Sequence, residues 1–245
     1  MDASATRTTL NLPNALTIAR IAITPLIAFL PFAASWTARF IAFVLFLAAA
    51  ISDYADGVLA RSRKQETNLG RLLDPLADKL LLLGTFIPMF ALAGSGFFMP
   101  RMTPLGDTFG VMRRPGGALD PAIAFPFVTP VGNIPLPWWI VVLVLGREVA
   151  MTIFRQAAHR RGVVISAIGP AKWKTTLQLI WQGCAYCWFF AATLAMDRHW
   201  MGAGWRAFAL FNGSVGALAM TAAVLLTLYS LWLYVARYGY VFARR

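Results

Sequence analysis

Half of the acidic residues of this 245-residue chain lie within one short segment. Asp53, Asp56, Glu66, Asp74 and Asp78 are five of its ten Asp and Glu residues, and they fall within 26 positions. The first two are i,i+3 neighbours and the last two are i,i+4 neighbours, so each pair would share one face of a helix. Four such carboxylates facing each other would repel, and hard divalent cations supply the compensating charge through oxygen ligands. The spacing of Asp53, Asp56, Asp74 and Asp78 therefore favours a site with two metal ions, of the type used for displacement at phosphorus.

Small residues flank these carboxylates at helical spacing. Gly57 and Ala60 would lie one turn apart on the side from which Asp56 and Arg61 project, and Gly70 comes one turn before the second acidic pair. Each leaves room beside the helix backbone for a flat or bulky ligand such as a nucleotide, although small residues also permit close helix packing. For the carboxylates, the alternative is a solvated loop in which the acids reach out to water.

The composition shows that a membrane protein must position these groups. Apolar residues make up 59% of the chain and charged residues 13%, and the mean hydropathy is +0.64. Soluble domains carry roughly 25% charged residues, so an ordinary soluble enzyme and a disordered chain are both excluded. Six apolar stretches are long enough to cross about 30 Å of hydrocarbon and too continuous for a β-barrel. They cover about residues 14–34, 39–59, 72–93, 138–158, 173–195 and 205–236. The sequence predicts an all-α, polytopic membrane protein, with six transmembrane helices in one bundle and a single domain over residues 1–245.

Positive residues predict the orientation of this bundle. Of the 22 Lys and Arg residues, fourteen fall in segments on the side of the N-terminus, six on the opposite side and two within the spans. This bias places both termini in the cytoplasm, because positive loops are retained on that side. The net charge of +12 is then explained by contact with anionic lipid, and no nucleic acid is expected as a partner.

The remaining segments carry no predicted chemistry. Residues 94–137 are rich in Gly and Pro and are predicted to form an irregular, non-cytoplasmic loop that includes a short re-entrant or surface element. The first span is expected to be retained rather than cleaved as a signal peptide. Cys184 and Cys187 lie inside the fifth apolar stretch, where helix packing is favoured over metal binding.

A second set of charges indicates an anionic ligand. Arg147 lies near the middle of the fourth stretch, Arg155 follows about 12 Å along the helix, and Lys172 and Lys174 open the fifth stretch. An arginine deep in an apolar helix needs a hydrated cavity or a partner, so we expect a polar pocket there. Cations from two helices around such a pocket suit an anionic acceptor. Ordinary positive-inside bias is the alternative, and it is the better explanation for the Arg160–Arg161 pair.

The acidic segment resembles a known family. With every spacing intact it contains Asp53-x2-Asp56-Gly57-x2-Ala60-Arg61-x8-Gly70-x3-Asp74-x3-Asp78, the signature of the CDP-alcohol phosphotransferases. These are membrane enzymes with a six-helix domain that join a CDP-activated group to an alcohol and release CMP. The resemblance implies two divalent cations, Mg²⁺ or Mn²⁺, held by Asp53, Asp56, Asp74 and Asp78, with Asp78 also acting as the general base. It implies contacts to the CDP moiety from Asp56, Gly57, Ala60, Arg61 and Gly70.

Three further patterns resemble the members of that family whose acceptor is glycerol 3-phosphate. They are Asn11-Leu12-Pro13-Asn14-Ala15-Leu16-Thr17-Ile18-Ala19-Arg20, Arg147-Glu148 followed by Arg155, and Lys172-x-Lys174-Thr175-Thr176-x-x-Gln178. The resemblance implies transfer of a phosphatidyl group from CDP-diacylglycerol to glycerol 3-phosphate, with Arg147, Arg155, Lys172 and Lys174 binding the acceptor phosphate. It also implies a homodimer in a bacterial inner membrane, with a polar active-site cavity at the cytoplasmic side.

Other acceptors and one other class of function stay open. Phosphatidylglycerol, inositol phosphate or serine would use the same acidic signature. A divalent-cation carrier would also use intramembrane aspartates, but it needs no nucleotide-sized gap, so Gly57, Ala60 and Gly70 favour the enzyme.

Overall fold

Six long helices and one short hairpin make up the part of the chain that the structure describes. A computed structural model describes residues 12–33, 35–63, 68–92, 127–134, 136, 138–163, 169–200 and 202–238. The elements are α1 (Leu12–Phe29), a 3₁₀ turn (Leu30–Phe32), α2 (Trp36–Arg63), α3 (Asn68–Leu92), β1 (Phe127–Thr129), β2 (Gly132–Ile134), α4 (Trp138–Arg160), α5 (Gly169–Asp197) and α6 (Ala203–Tyr238). The side chains of residues 53–63, 68–72 and 169–172 lie outside this description, although their backbone is helical.

Helices occupy all six of the apolar stretches found in the sequence. Four of them contain segments long and apolar enough to cross a membrane, namely Asn14–Phe32, Leu73–Leu92, Trp173–Asp197 and Ala203–Tyr238. The chain is therefore an all-α integral membrane protein. Over its described residues, α2 offers only the shorter apolar segment Trp36–Ser52. Helix α4 carries Arg147, Glu148 and Arg155, so its crossing of the membrane, like that of α2, remains a prediction.

The directions of the helices define a polar end of the bundle, where α1, α3 and α5 begin and α2, α4 and α6 end. Thr17 and Arg20 of α1 contact Asp74 and Asp78 of α3 in the same order, so α1 and α3 run parallel. Arg147 and Arg155 of α4 likewise contact successive residues of α6. The acidic and basic site residues identified in the sequence therefore lie toward the polar end on four of the six described helices, α2 to α5.

Tyr186 of α5 ties the centre of the bundle together. Its hydroxyl donates to the carbonyl oxygen of Ile27 at 3.0 Å and lies 3.4 Å from that of Gly84. Its ring stacks on Phe46 of α2, with centroids 5.3 Å apart. Because a buried hydroxyl needs a hydrogen-bond partner, these contacts fix α1, α3 and α5 relative to one another. Those three helices carry most of the described site residues.

A buried arginine fixes the opposite end of the bundle. The Arg39 side chain is fully buried, its Nε donates to the Pro31 carbonyl oxygen at 2.9 Å, and its Nη1 donates to the Thr193 hydroxyl. Arg39 is one of the six cations that the sequence analysis places on the side of the membrane opposite the N-terminus. The structure shows that it joins the start of α2 to the 3₁₀ turn and to α5.

The region predicted as an irregular loop contains a β-hairpin. Phe127 pairs with Ile134 and Thr129 pairs with Gly132, which has a φ of 128° suited to glycine. The hairpin packs on α6, where Phe127 is fully buried against Gly216 and the Val128 backbone lies against Gly213. Residues 94–126, 135 and 137 of the predicted loop lie outside the described part of the chain. Residues 127–134 form a regular hairpin instead of irregular structure, and the sequence analysis had not predicted strands there.

Adding a methyl group at Gly213 tests this packing. A Cβ at Gly213 would overlap the Val128 backbone, which cannot move aside as a flexible side chain can. We expect Gly213→Ala to lower the free energy of unfolding by about 1–3 kcal/mol, measured by thermal unfolding in detergent micelles. Gly204→Ala on the same helix is the control, because no described atom lies within 4 Å of its added Cβ. Equal stability of the two variants would contradict the observed position of the hairpin.

Candidate active site

Side chains of α1 hold the two described carboxylates of α3. The Thr17 hydroxyl donates to Asp74 Oδ1 at 2.8 Å, and Arg20 Nη1 lies 3.7 Å from Asp78 Oδ1. Thr17 and Arg20 are buried, whereas both aspartates are exposed. Helix α1 therefore supports the acidic residues from behind while their oxygens remain accessible.

The sequence alone gives neither Thr17 nor Arg20 a supporting role. Both residues are part of the pattern at residues 11–20, which resembles family members whose acceptor is glycerol 3-phosphate. With Asn14, these two residues form a row at spacing i, i+3 and i+6, which lies on one face of a helix, and all three are buried. A row of polar residues on the buried face of an apolar helix is the signal that identifies such residues.

Glu148 of α4 lies between two buried cations. Its Oε1 is 3.0 Å from Arg147 Nη1 and also accepts a hydrogen bond from Lys174 Nζ of α5. Arg147 additionally donates through Nη2 to the Ser230 hydroxyl of α6 at 3.1 Å. A charged side chain is strongly disfavoured in an apolar surrounding unless it is paired. Glu148 therefore compensates both cations and joins α4 to α5.

Arg155 lies closer to the polar end and is exposed. Its Nη2 is 3.5 Å from the Tyr234 hydroxyl, and its guanidinium carbon is 5.8 Å from the centre of the Tyr234 ring. That distance is within the range of a cation–π contact. Tyr234 thus holds the Arg155 guanidinium without neutralising its charge.

One cavity brings the acidic and the basic groups together. It has a volume of about 140 Å³ and lies between α2, α3, α4 and α5. Its polar lining consists of Asp78, Lys79, Glu148, Lys174, Thr175, Gln178 and Gln182. Asp78 and Lys174 therefore face the same space, as a shared reaction site requires. Arg147 does not line this space but contacts Glu148, which does, and Arg155 lies outside it beside Tyr234.

The remaining predicted site residues are described only by their backbone. Asp53, Asp56, Gly57, Ala60 and Arg61 lie in the last turns of α2, Gly70 in the first turn of α3, and Lys172 in the first turn of α5. Their side chains lie outside the described part of the structure. Among the side chains that are described, no three His, Cys, Asp or Glu residues gather at one place, and Asp53 and Asp56 are not among those side chains. Of the four predicted metal ligands, the side chains of Asp74 and Asp78 are therefore described and those of Asp53 and Asp56 are not.

Comparison with known sequences identifies the family. A family profile described as CDP-alcohol phosphatidyltransferase matches residues 10–105 and 119–242. The chain belongs to the CDP-alcohol phosphatidyltransferase family. The family resemblance inferred from the acidic signature is thereby confirmed, and the chain is an enzyme of the phosphatidyltransferase class.

Named relatives of this CDP-alcohol phosphatidyltransferase come from bacteria and plants. A probable phosphatidylglycerophosphate synthase of Mycobacterium tuberculosis is 29% identical over 230 residues, which cover 93% of this chain and 81% of the relative. The CDP-diacylglycerol–glycerol-3-phosphate 3-phosphatidyltransferase 1 of Arabidopsis thaliana is 30% identical over 178 residues, or 69% of this chain and 48% of the relative. A Rickettsia bellii enzyme named CDP-diacylglycerol–glycerol-3-phosphate 3-phosphatidyltransferase is 49% identical over 72 residues, or 29% of this chain and 40% of the relative.

Removing the Glu148 carboxylate tests the charge arrangement of the cavity. Glu148→Leu leaves Arg147 and Lys174 as neighbouring uncompensated cations, so we expect the free energy of unfolding to fall by about 2 kcal/mol. The double variant Glu148→Leu/Lys174→Met should recover most of that loss, because it removes one of the two repelling charges. Unfolding in detergent micelles, followed by tryptophan fluorescence, measures both changes. If the loss in the double variant equals the sum of the losses in Glu148→Leu and in Lys174→Met, the two side chains do not interact.

Proposed function

We propose that this protein transfers the phosphatidyl group of CDP-diacylglycerol to glycerol 3-phosphate, giving phosphatidylglycerophosphate and CMP. The observation that carries the proposal is the shared cavity, which both Asp78 and Lys174 line. A proton acceptor and a phosphate-binding cation beside one space are what transfer to a phosphorylated alcohol needs. The names of the relatives support the same donor and acceptor.

Mg²⁺ or Mn²⁺ fits the donor set at this cavity. Asp74 and Asp78 present exposed carboxylates one helical turn apart, and hard divalent cations prefer such oxygen ligands. We expect Asp53 and Asp56 of α2 to complete a set of four carboxylates. When bound, two such ions would neutralise the pyrophosphate and stabilise CMP as it leaves. Thr17 restricts the orientation of the Asp74 carboxylate through its hydrogen bond.

Asp78 is the proposed general base. The acceptor hydroxyl oxygen forms the new bond to the β-phosphorus, the bond from that phosphorus to the CMP oxygen breaks, and the hydroxyl proton passes to the Asp78 carboxylate. Arg20 lies beside this carboxylate on the buried side, so it orients the group toward the cavity. Asp56, Gly57, Ala60, Arg61 and Gly70 are the proposed contacts to the CDP moiety.

The cations on the α4 and α5 side of the cavity suit an anionic acceptor, whereas Asp78 and Lys79 on the α3 side carry opposite charges. Glu148 supplies one negative charge against the two positive charges of Arg147 and Lys174, and Arg155 adds a third that Tyr234 does not neutralise. Together with Lys172, these cations are the proposed site for the phosphate of glycerol 3-phosphate. The excess of positive charge disfavours serine, whose free form carries no net charge.

The proposed cellular setting follows from the sequence and the family. We propose six membrane-spanning helices in one domain, both termini in the cytoplasm, and the cavity at the cytoplasmic face of a bacterial inner membrane. Residues 94–137 would then lie on the other side of the membrane. The homodimer implied by the family resemblance stays a prediction.

Two acceptors compete with glycerol 3-phosphate. Phosphatidylglycerol, in cardiolipin-type synthesis, and inositol phosphate are both anionic and would suit the same cations. A divalent-cation carrier is disfavoured, because the family to which the chain belongs consists of transferases.

Release of CMP by purified protein tests the proposed reaction. We expect CMP only when CDP-diacylglycerol, glycerol 3-phosphate and Mg²⁺ or Mn²⁺ are all present. Asp78→Asn should reduce turnover at least about a hundredfold, as expected for loss of a general base, and leave binding of CDP-diacylglycerol measurable. Asp197→Asn is the matched control, since Asp197 is exposed at the far end of α5. Equal CMP release with phosphatidylglycerol would favour the cardiolipin-type reaction, and metal flux without CMP release would favour the carrier.

Arg155→Ala tests the acceptor site. If the Arg155 guanidinium binds the acceptor phosphate in the ground state, the apparent KM for glycerol 3-phosphate should rise about tenfold with kcat little changed. Arg160→Ala is the control, because Arg160 is equally exposed in the last turn of α4 and is assigned to membrane orientation. A change confined to the KM for CDP-diacylglycerol would show that Arg155 belongs to the donor site instead.

A further inference from the structure

Two buried glutamines extend the polar lining of the cavity into the bundle. Lys174, Gln178 and Gln182 are spaced four residues apart on α5, so they lie along one helix face. Gln178 is 5% exposed and Gln182 is 2% exposed, and both line the cavity that also holds Asp78. The side-chain amide nitrogens of both glutamines have no hydrogen-bond partner among the residues that the structure describes.

The position of these amides indicates that a ligand must satisfy them. Gln182 lies nine residues beyond Trp173, where the apolar segment of α5 begins, which is about 13 Å along the helix axis. A buried donor without a partner is unfavourable, and at this depth the surrounding helices supply few free acceptors. The ligand therefore has to bring acceptor oxygens into the inner part of the cavity.

An apolar groove lies next to the cavity, on the adjoining face of α5. The groove has a volume of about 410 Å³ and runs between α2 and α5 beside Phe43, Phe46, Leu47 and Ile180. It shares Ala50 and Leu179 with the polar cavity. A molecule that occupies both spaces has its charged part near Asp78 and its hydrocarbon part in the groove. The glutamine amides then face the point where the charged part joins the hydrocarbon part.

We propose that Gln178 and Gln182 donate hydrogen bonds to the ester carbonyl oxygens of the diacylglycerol moiety of the CDP-activated lipid. This inference rests on the proposed function, because it takes the lipid as the donor substrate. The cations assigned to the acceptor lie toward the polar end, at Lys174 and Arg155, whereas the glutamines lie deeper. Ester carbonyls are strong acceptors and sit between the phosphate and the acyl chains, at the place where these donors are found.

Comparison of ester and ether lipids tests the proposal. The wild-type protein and Gln182→Leu are assayed with CDP-diacylglycerol and with CDP-dialkylglycerol, whose ether oxygens accept hydrogen bonds poorly. Loss of one hydrogen bond should raise the KM for the diester about three- to tenfold in the variant. The KM for the diether and the KM for glycerol 3-phosphate should stay unchanged. Gln156→Leu is the control, because Gln156 is exposed on α4 and does not line the cavity.

Two outcomes would overturn the inference. An equal rise in KM for both lipids would show that Gln182 does not recognise the ester carbonyl. A rise confined to glycerol 3-phosphate would assign the amides to the acceptor hydroxyls instead. If Gln182→Leu does not fold, Gln178→Leu is the second variant, and the same rise in KM for the diester alone is expected of it.

The same binding measurement separates this inference from the proposed function. Equilibrium binding of both lipids, followed by intrinsic tryptophan fluorescence, needs no turnover. Protein that releases no CMP, prefers the diester and loses that preference in Gln182→Leu would contradict the proposed reaction and support the role of the glutamines. Protein that releases CMP equally well from both lipids, with equal KM values, would leave the reaction standing and remove that role.

Discussion

The contact of Glu148 with Arg147 and Lys174 makes the rest of the site possible. Arg147 is 7% exposed and Lys174 is 3% exposed, in a bundle whose other interior groups are mostly apolar. Burial of two like charges side by side is strongly unfavourable unless a carboxylate lies between them. Glu148 supplies that carboxylate, and the Ser230 hydroxyl accepts a further hydrogen bond from Arg147. A helix with several charges can therefore pack among apolar neighbours and keep a positive charge next to the cavity.

On the acidic side of the cavity the roles of the charges are reversed, because here buried donors contact exposed carboxylates. Arg20 and Thr17 of α1 are the buried donors, and Asp78 and Asp74 of α3 are the exposed carboxylates. Asp78 on one wall of the cavity is thus stabilised by Arg20, and Lys174 on another wall is stabilised by Glu148. The two walls remain separate because Tyr186 fixes α1, α3 and α5 at the bundle centre, on the inner side of the cavity. The packing of α1, α3 and α5 therefore sets the distance between the acidic wall and the basic wall of the cavity.

The sequence predicted features that depend on local pattern and missed those that depend on contacts between helices. Apolar length alone located the six helices of the described part of the chain, and the spacing of the aspartates identified the family. By contrast, Arg20 contacts a residue 58 positions away, and the spacing within α1 marks Arg20 as a buried polar residue without predicting that partner. The hairpin was missed because its strands have three residues each, too few for an alternating pattern. Its place also depends on two glycines of α6 that look like ordinary packing residues in the sequence.

One face of α5 shows how polarity changes along the cavity. Lys174, Gln178, Gln182 and Tyr186 follow at intervals of four residues, so a single line of side chains passes from a cation through two amides to a phenol. The Tyr186 hydroxyl is occupied by its contacts with backbone carbonyls of α1 and α3, and so the polar line ends there. A ligand that follows this face meets positive charge first, neutral donors next and a closed apolar core last. Lys174 is assigned to the phosphate of the acceptor, and the two amides are assigned to the ester groups of the lipid donor, so the two substrates would meet along this face of α5. A cation suits a phosphate and a neutral donor suits an ester carbonyl oxygen, which explains why the deeper positions carry glutamines rather than further cations.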